Sequence, residues 1–264
     1  MTPLEYFNVS SNNNEGWNLR LPSQIHGAFG GVTGGALAAA SIALSRTVEP
    51  TRVVTGIDIH FLKGLATTEA QATITTLTSG RSLSILRVEF SDESGIPTTE
   101  ARVALVAPEA LRTDIEATER NQGLLGPPPT DLYDRAKPWR KPDGVEVPII
   151  DTARPQAARV GAAIATLVSV PWDSSDDGSE GACLAADLSV GPPVDAALPK
   201  DRWVPHPNPD LSLRFLEQVT ANDLVAIGTC REISRGFATV QTEVWQDQSL
   251  VATGMSTSLL SAKS

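Results

Sequence analysis

The sequence predicts an α+β fold built from two similar halves in tandem, each with one buried helix packed on an antiparallel sheet. Three observations lead to this prediction. A glycine- and alanine-rich apolar segment precedes four strand-like runs, the same order recurs later in the 264 residues, and the two copies align at a nearly constant offset. Phe61 aligns with Phe215 at an offset of 154 and Gly80 aligns with Gly236 at 156, which indicates duplication.

In the first half, a helix is predicted from the segment HGAFGGVTGGALAAASIALSR, which starts at His26. Good helix formers fill it from about residue 32 to residue 45, and it is apolar all round, so we expect it to be buried. Residues 51–107 form four runs that are rich in β-branched residues and bounded by turn clusters, as strands are. The opening residues, 6–21, are expected to add one more strand.

The second half repeats this order after a segment of different composition. Residues 108–156 carry dense charges near 110–120, where we predict a short helix, and then Pro-rich stretches such as GPPPTD and KPDG. We therefore divide the chain into an N-terminal unit, 1–107, a linker, 108–156, and a C-terminal unit, 157–264. In the C-terminal unit, residues 181–198 are predicted as the second buried helix, followed by four strands. Pairing the two sheets edge to edge would cover their open edges.

The composition argues against several classes of function. The formal net charge is -10 and the pI is about 4.8, whereas a protein that binds nucleic acid normally shows a basic patch. No stretch approaches ~20 apolar residues, so no membrane-spanning helix is expected. The first residues, MTPLEYFNVSS, do not resemble a signal peptide, and we expect a cytoplasmic protein. Cys183, Cys230 and the three histidines have no metal-ligand spacing, and no nucleotide motif is present, so we expect neither metal nor cofactor.

Four segments in order, FGGVTGGALAAASIAL, HFLKG, SGRSLSILRVEF and LVATGMSTSLL, together resemble the acyl-CoA thioesterase II family and its thioesterase-like relatives. The resemblance covers most of both halves and leaves the linker uncovered. It implies a double hotdog fold and hydrolysis of fatty acyl-CoA thioesters to free acid and CoA. It also implies a place in fatty acid metabolism, acyl-CoA as the small-molecule partner, and possible association of the chain into a homo-oligomer.

The resemblance implies a set of catalytic residues in the second half. The family's catalytic aspartate matches Asp210, at the start of the run PDLSLRFL, and the hydroxyl that helps to hold the water matches Thr229 or Ser234. Ser256 stands where the family has a glutamine, and Asp58 stands where it often has a histidine. By residue chemistry alone, Asp210 is a candidate general base, or simply a turn former at the start of a strand.

The glycine-rich start of the first helix is a candidate for oxyanion binding. A helix N-terminus offers unpaired backbone N–H groups and the positive end of the helix dipole, and glycine lets a ligand approach closely. Gly30, Gly31 and Val32 are therefore candidate donors to the substrate carbonyl, with His26 close enough to contact the substrate. The alternative is that these glycines only permit tight packing of helix on sheet.

Other polar residues give weaker hypotheses. Asp58 and His60 are two apart in a strand and share one face, so they are either a second acid–base pair or a polar pair at the surface. Arg81 and Ser82, in a predicted turn, are candidates to bind CoA phosphates. Asp187 lies within the second buried helix, where a charge needs a partner or a polar cavity.

Two functions besides hydrolysis remain open. The loss of the family's glutamine at Ser256 favours a non-catalytic protein that binds acyl-CoA. The spacing of Asp201 and His206 resembles that of hotdog hydratases, which act on enoyl thioesters, although here the Asn208–Pro209 pair follows the histidine. Three measurements distinguish these functions. Hydrolysis releases CoA, a binding protein binds acyl-CoA without releasing CoA, and a hydratase removes the absorbance of an enoyl thioester.

Overall fold

A computed structural model describes residues 1–12, 16–112, 123–140, 146–173, 178–199 and 204–261. Within these ranges, thirteen strands form one continuous antiparallel sheet. Its order is β1-β2-β4-β5-β6-β3-β10-β13-β12-β11-β9-β8-β7, with strands numbered along the chain. None of the described helices is long and apolar enough to cross a membrane.

The first half contains a short helix, six strands and the long helix α2. Their bounds are α1 Pro3–Tyr6, β1 Ser10–Ser11, β2 Trp17–Arg20, α2 Gly34–Val48, β3 Val53–Phe61, β4 Glu69–Ser79, β5 Leu83–Ser91 and β6 Pro97–Val106. A 3-10 turn, Ser23–Ile25, precedes α2, and another, Pro108–Ala110, follows β6. The four predicted strands of 51–107 are all present, and residues 6–21 contribute two strands, β1 and β2, where one was expected.

The second half repeats this arrangement with two helices in place of one. The linker contributes α3 Leu132–Arg135, β7 Lys137–Pro138 and α4 Pro148–Ala153. The elements that follow are β8 Gln156–Val160, β9 Ala163–Ser169, α5 Ser179–Leu188, α6 Gly191–Ala197, β10 Asp210–Phe215, β11 Asp223–Ser234, β12 Phe237–Gln246 and β13 Ser249–Leu259. The order β10-β13-β12-β11-β9-β8 mirrors β3-β6-β5-β4-β2-β1, as duplication predicts.

The two halves join through β3 and β10, which pair antiparallel with Asp58 opposite Ser212. These two residues occupy equivalent positions in the two repeats, so the junction lies on a local twofold axis. Ile57 and Leu213 are fully buried on the face that meets the helices, while Asp58 and Ser212 lie on the outer face. The edge-to-edge pairing that we expected is therefore present, and it merges the two cores into one.

Helix α2 is buried along almost its whole length, as its composition predicts. Its two inner serines do not disturb the core, because Ser41 Oγ donates to Leu37 O and Ser45 Oγ donates to Ser41 O, both at 2.8 Å. The helix begins at Gly34 after the N-cap residue Thr33, two residues later than predicted. This shift matters below, because it determines which backbone amides are unpaired.

Helices α2 and α5 pack at very close range. A Cβ atom on Gly35 would lie 2.7 Å from Leu184 Cα and 2.7 Å from Cys183 O, so only glycine allows this approach. At the opposite end of the pair, Arg46 Nη1 contacts Glu180 Oε1 at 3.0 Å, and Glu180 is almost fully buried. The two helices therefore run antiparallel, with the start of α2 against the end of α5.

Local structure differs from the expectations in two respects, and a third expectation falls mostly outside the described residues. The second buried helix is not continuous over 181–198, because the Pro192–Pro193 pair cannot continue a helix ladder and the chain breaks between α5 and α6. Strands β8 and β9 were not predicted. The charged segment near 110–120 shows only a 3-10 turn up to Ala110, and residues 113–120 lie outside the described part of the chain.

The linker covers the outer face of the second half of the sheet. Leu132 is fully buried there with Trp245 and Ile227. The carboxylate of Glu243, itself 1 % exposed, accepts the N–H of Leu124 at 2.6 Å. A buried polar group of this kind is stable only with such hydrogen-bond partners, so Glu243 anchors the linker.

Candidate active site

A cavity of about 790 Å³ lies where the start of α2, the end of α5 and the linker meet. Its walls are mostly apolar and include Leu37, Phe61, Trp139, Ile150, Leu188 and Val190. Ligand cavities of proteins commonly have this size and character, with a few polar groups that orient the ligand. The polar groups here come from several separate segments of the chain, among them those of Thr33, Asp187 and Asn208.

Asp187 supplies a carboxyl group to this cavity from the last turn of α5. Its Oδ1 accepts a hydrogen bond from Asn208 Nδ2 at 2.7 Å, and the carboxyl group also accepts the backbone N–H of Gly35. Burial raises the pKa of Asp187, and these two hydrogen bonds oppose that rise without cancelling it. A carboxyl group whose pKa lies above its usual range is better matched to proton transfer near neutral pH.

The start of α2 faces this carboxyl group. A Cβ atom on Gly34 would lie 3.0 Å from Asp187 Oδ1 and 2.4 Å from Phe61 Cζ, so glycine brings the helix end against both side chains. Gly34 is the first helical residue, and its N–H points out of the helix with no intrahelical acceptor. A carboxyl group and the positive end of a helix dipole therefore meet at one wall of the cavity.

Two of the three predicted amide donors of the glycine loop are already paired. Gly30, with a φ of 76°, donates to Gly27 O at 3.2 Å, and Val32 donates to Leu65 O at 2.9 Å. Gly31 and Val32 line the cavity, and Gly31 lies directly against the backbone of Leu65. Of the predicted donors, Gly30 and Val32 are therefore paired within the protein, Gly31 remains at the cavity wall, and the start of the helix adds the N–H of Gly34.

His26 lies beside this loop and does not line the cavity. The backbone N–H of His26 donates to Ser23 O, and its backbone carbonyl accepts the N–H of Ile149 from the linker. Burial lowers the pKa of His26, which favours the neutral imidazole. Its place is thus at the contact between loop and linker.

Asp210 is the first residue of β10 and lies on the outer face of the sheet, opposite His60. Its Oδ1 accepts the backbone N–H of Thr257 at 2.7 Å, and its carbonyl accepts the hydroxyl of Ser256 at 2.6 Å. Pro209 lines the cavity, whereas Asp210 does not. Asp210 and Ser256 are thus neighbours, but Ser256 contacts the backbone rather than the carboxylate.

Thr229 and Ser234 are not brought to Asp210. Both lie on β11, and β12 and β13 separate that strand from β10. Because neighbouring strands are about 4.8 Å apart, three steps place Thr229 on the order of 14 Å from β10 along the sheet. Ser234 lies at the end of β11, exposed beside the hairpin.

Asp58 and His60 lie on the outer face at the junction of the two halves. Arg214 holds Asp58 through two contacts, at 3.0 and 3.1 Å, and Ser212 Oγ also donates to it. Burial alone would raise the pKa of Asp58, but the hydrogen bonds and charge of Arg214, with the bond from Ser212, lower it overall. Asp58 is therefore an ionised partner of Arg214, remote from the cavity.

Arg81 and Ser82 lie at the other end of the first unit. Gly80, the residue before them, accepts a hydrogen bond from Arg52, just beyond the C-terminal end of α2. A helix of 15 residues is about 22 Å long, so this turn is about that far from the start of α2. The structure does not bring Arg81 and Ser82 to the cavity.

Three residues that line the cavity were not among the expected substrate contacts. Trp139 comes from the linker, and His206 and Asp195 come from the segments around α6. His206 Nδ1 lies 2.7 Å from Val204 O, and its Nε2 lies 3.7 Å from Asp195 Oδ1. The polar run HPNP before β10 was the available signal, since it contains both His206 and Asn208. Asp201, the partner of His206 in the hydratase spacing, lies outside the described residues.

The cysteines are separate from this chemistry. Cys183 is buried in α5, and burial raises its pKa well above the usual value, which disfavours the thiolate. Cys230 is a free, half-buried thiol on β11. Among the described residues, no group of three His, Cys, Asp or Glu side chains could hold a metal ion.

Residues 19–106 match the acyl-CoA thioesterase N-terminal domain. The resemblance predicted from the motifs is thus confirmed at the level of sequence for the first half of the chain. No curated protein sequence matches the chain.

Solved structures extend the likeness to the whole chain. An acyl-CoA thioesterase II from Mycobacterium marinum has a TM-score of 0.72 at 16% identity, covering 100% of this chain and 99% of that one. A hot dog protein of unknown function from Alicyclobacillus acidocaldarius has a TM-score of 0.74 at 16% identity, covering 99% and 98%. A provisionally named thioesterase II from Thermobifida fusca has a TM-score of 0.76 at 16% identity, covering 99% and 98%. These likenesses confirm the α+β double hotdog fold.

Proposed function

We propose that this protein hydrolyses acyl-CoA thioesters to free acid and CoA in the cavity at the start of α2. The observation that carries the proposal is the half-buried carboxyl group of Asp187, which lines an apolar cavity, has a raised pKa and lies against the N-terminal end of a helix. The match of residues 19–106 to a thioesterase domain supports the same reaction.

The reaction needs a site for the acyl chain, a donor for the carbonyl oxygen and a base for water. The apolar walls take the acyl chain, and the N–H of Gly34 donates to the carbonyl oxygen as charge develops on it. Asp187 holds a water molecule and accepts its proton as the oxygen attacks the carbonyl carbon. The tetrahedral intermediate then collapses, the carbon–sulfur bond breaks, and the CoA sulfur takes up the proton from Asp187.

The family resemblance assigns the role of base to Asp210, whereas the cavity is lined by Asp187 and Asp195. Of these two, Asp187 lies against the start of α2. Asp210 accepts the N–H of Thr257 and fixes the start of β10, which positions Asn208 two residues earlier. We therefore propose Asp187 as the base and Asp210 as a residue that holds the wall of the cavity in place.

Release of CoA from a panel of acyl-CoA substrates, C2 to C18, tests the reaction. The wild-type protein should release CoA above background, with the best substrate reporting the usable depth of the cavity. Asp187→Asn keeps the shape and the hydrogen bond to Asn208, and it should lower kcat by about 10²-fold or more, because a general base contributes about 10²–10⁴-fold. If the folded wild-type protein released no CoA from any substrate of the panel, this result would contradict the proposal.

A protein that binds acyl-CoA without hydrolysis is the second candidate. It is favoured by Ser256, which takes the place of the family's glutamine and donates to backbone carbonyls. This candidate predicts heat of binding for acyl-CoA in calorimetry with no release of thiol.

A further inference from the structure

The N-cap residue of α2 has a hydroxyl group that does not cap the helix. An N-cap threonine normally accepts a hydrogen bond from the second or third helical N–H. Here the N–H of Gly35 goes to Asp187, and the N–H of Ala36 goes to the carbonyl oxygen of Thr33 at 3.1 Å. The side chain of Thr33 makes no capping bond.

This hydroxyl is buried without a partner. Thr33 is 9 % exposed, and its Oγ1 has no hydrogen-bond partner among the described residues. Buried polar atoms of proteins are nearly always paired, and an unpaired one costs stability, so an exception calls for an explanation. Thr33 lines the cavity, so an occupant of the cavity can supply the missing partner.

The neighbouring residue offers a second donor of the same kind. The N–H of Gly34 has no acceptor within the helix, and Gly34 also lines the cavity beside Asp187. Two consecutive residues thus present an O–H and an N–H at the positive end of a 15-residue helix. Such a pair is suited to an oxygen that carries or develops negative charge.

We infer that Thr33 is a catalytic residue whose hydroxyl, together with the Gly34 N–H, binds the oxyanion of the reaction. The ligand oxygen is the thioester carbonyl, which becomes an oxyanion when water adds to it, and in the product complex it is a carboxylate oxygen. The inference rests on the proposed function for the first state. The second state, binding of a carboxylate, is testable without catalysis.

Thr33→Val tests the inference, with Thr33→Ser as the matched control. Valine keeps the shape of threonine and removes the donor, so kcat should fall by about 10²–10³-fold, as for other oxyanion donors, with little change in KM. Serine keeps the donor and should retain most of kcat. The melting temperature of Thr33→Val should not fall, because the substitution removes an unpaired buried hydroxyl. If Thr33→Val kept the wild-type kcat, the inference would be wrong. It would also be wrong if Thr33→Val lowered the melting temperature and Thr33→Ser lost as much kcat as Thr33→Val.

Binding of decanoate, followed by calorimetry, separates this inference from the proposed function. Thr33→Val should weaken decanoate binding by about 10-fold relative to wild type and Thr33→Ser, and it should leave decanol binding unchanged. If the wild type releases no CoA but decanoate binding depends on Thr33, the proposed reaction fails and the donor pair stands. If the wild type is active and Thr33→Val changes neither kcat nor decanoate binding, the reaction stands and the donor pair fails.

Discussion

At the scale of single residues, two opposing effects act on the pKa of Asp187. Its position in the cavity removes water from the carboxyl group, which disfavours the charged form and raises the pKa. Asn208 and the N–H of Gly35 stabilise the charged form only in part. A residue that served stability alone would not be expected to keep a charge under these conditions, and this favours a role in chemistry.

Because Asp187 is placed where its charged form is disfavoured, we expect Asp187→Asn to stabilise the protein while it removes activity. The folded pKa of Asp187 lies above its unfolded value, so the unfolded chain releases the proton first as pH rises. Stability contributed by the neutral form is therefore present at low pH and is lost as pH rises through the folded pKa. Asparagine is neutral throughout, so urea unfolding should show the variant gaining stability over wild type between pH 4 and pH 8. A variant that is less stable than wild type at pH 8 would contradict this account.

The residues of the site show how far sequence alone reaches. The glycine-rich start of α2 could be predicted to face a ligand, because glycine and a helix N-terminus suit that role. The sequence could not predict that Asp187 pairs with Asn208 or that Trp139 lines the cavity, because these contacts join segments far apart in the chain. Motif matching indicated Asp210 and Thr229, but the order of strands, which separates them, becomes visible only in the folded sheet.

At the scale of elements, the contact between α2 and α5 places the carboxyl group at the helix end. Gly35 has no side chain, so the backbone of α5 can approach and its Asp187 can reach the first amides of α2. Any widening of this contact would draw Asp187 away from Gly34 and Gly35.

Gly35→Ala is predicted to disturb both stability and activity. The new Cβ would lie 2.7 Å from backbone atoms of Cys183 and Leu184, which cannot rotate away. Overpacking of this kind costs about 1–3 kcal/mol, which denaturant unfolding can measure. Gly80→Ala is the matched control, since its Cβ would meet only Leu83 O at 3.5 Å, and it should stay within about 0.5 kcal/mol of wild type. Equal stability of the two variants would argue against a close contact of the helices.

The elements also show where sequence patterns failed. The strands of 51–107 alternate apolar and polar residues because one face meets the core and the other meets solvent. Strand β9 is buried on both faces, with Thr166 and its neighbours covered, so it lacks alternation and was missed. The break between α5 and α6 had a signal in Pro192 and Pro193, which the continuous apolar composition obscured.

At the scale of the whole molecule, duplication gives two similar ends to the helix pair, and in the described part of the chain one end alone is built for the proposed reaction. At one end, Asp187 faces the start of α2 in the cavity of about 790 Å³. At the other end, near the start of α5, Glu180 forms an ion pair with Arg46 beside a cavity of about 170 Å³. A carboxylate held by a cation is poorly suited to accept a proton, so the two ends have diverged.

This asymmetry predicts one working site per chain. Titration of the protein with decanoate in a calorimeter should give a stoichiometry of one per chain, because among the described residues only one end offers a large apolar cavity with free donors. Arg46→Met, at the opposite end, should not change that number. Two equivalent sites per chain would contradict the assignment.

In the proposed mechanism, Asp187 rather than Asp210 accepts the proton of the attacking water. The most direct test compares initial rates of CoA release by Asp187→Asn and Asp210→Asn at saturating substrate, on the best acyl-CoA of the panel. The structure predicts that Asp187→Asn loses about 10²-fold or more in kcat while Asp210→Asn keeps a larger share of the wild-type rate. A loss confined to Asp210→Asn, with Asp187→Asn near the wild-type rate, would contradict the claim and place the reaction at the start of β10.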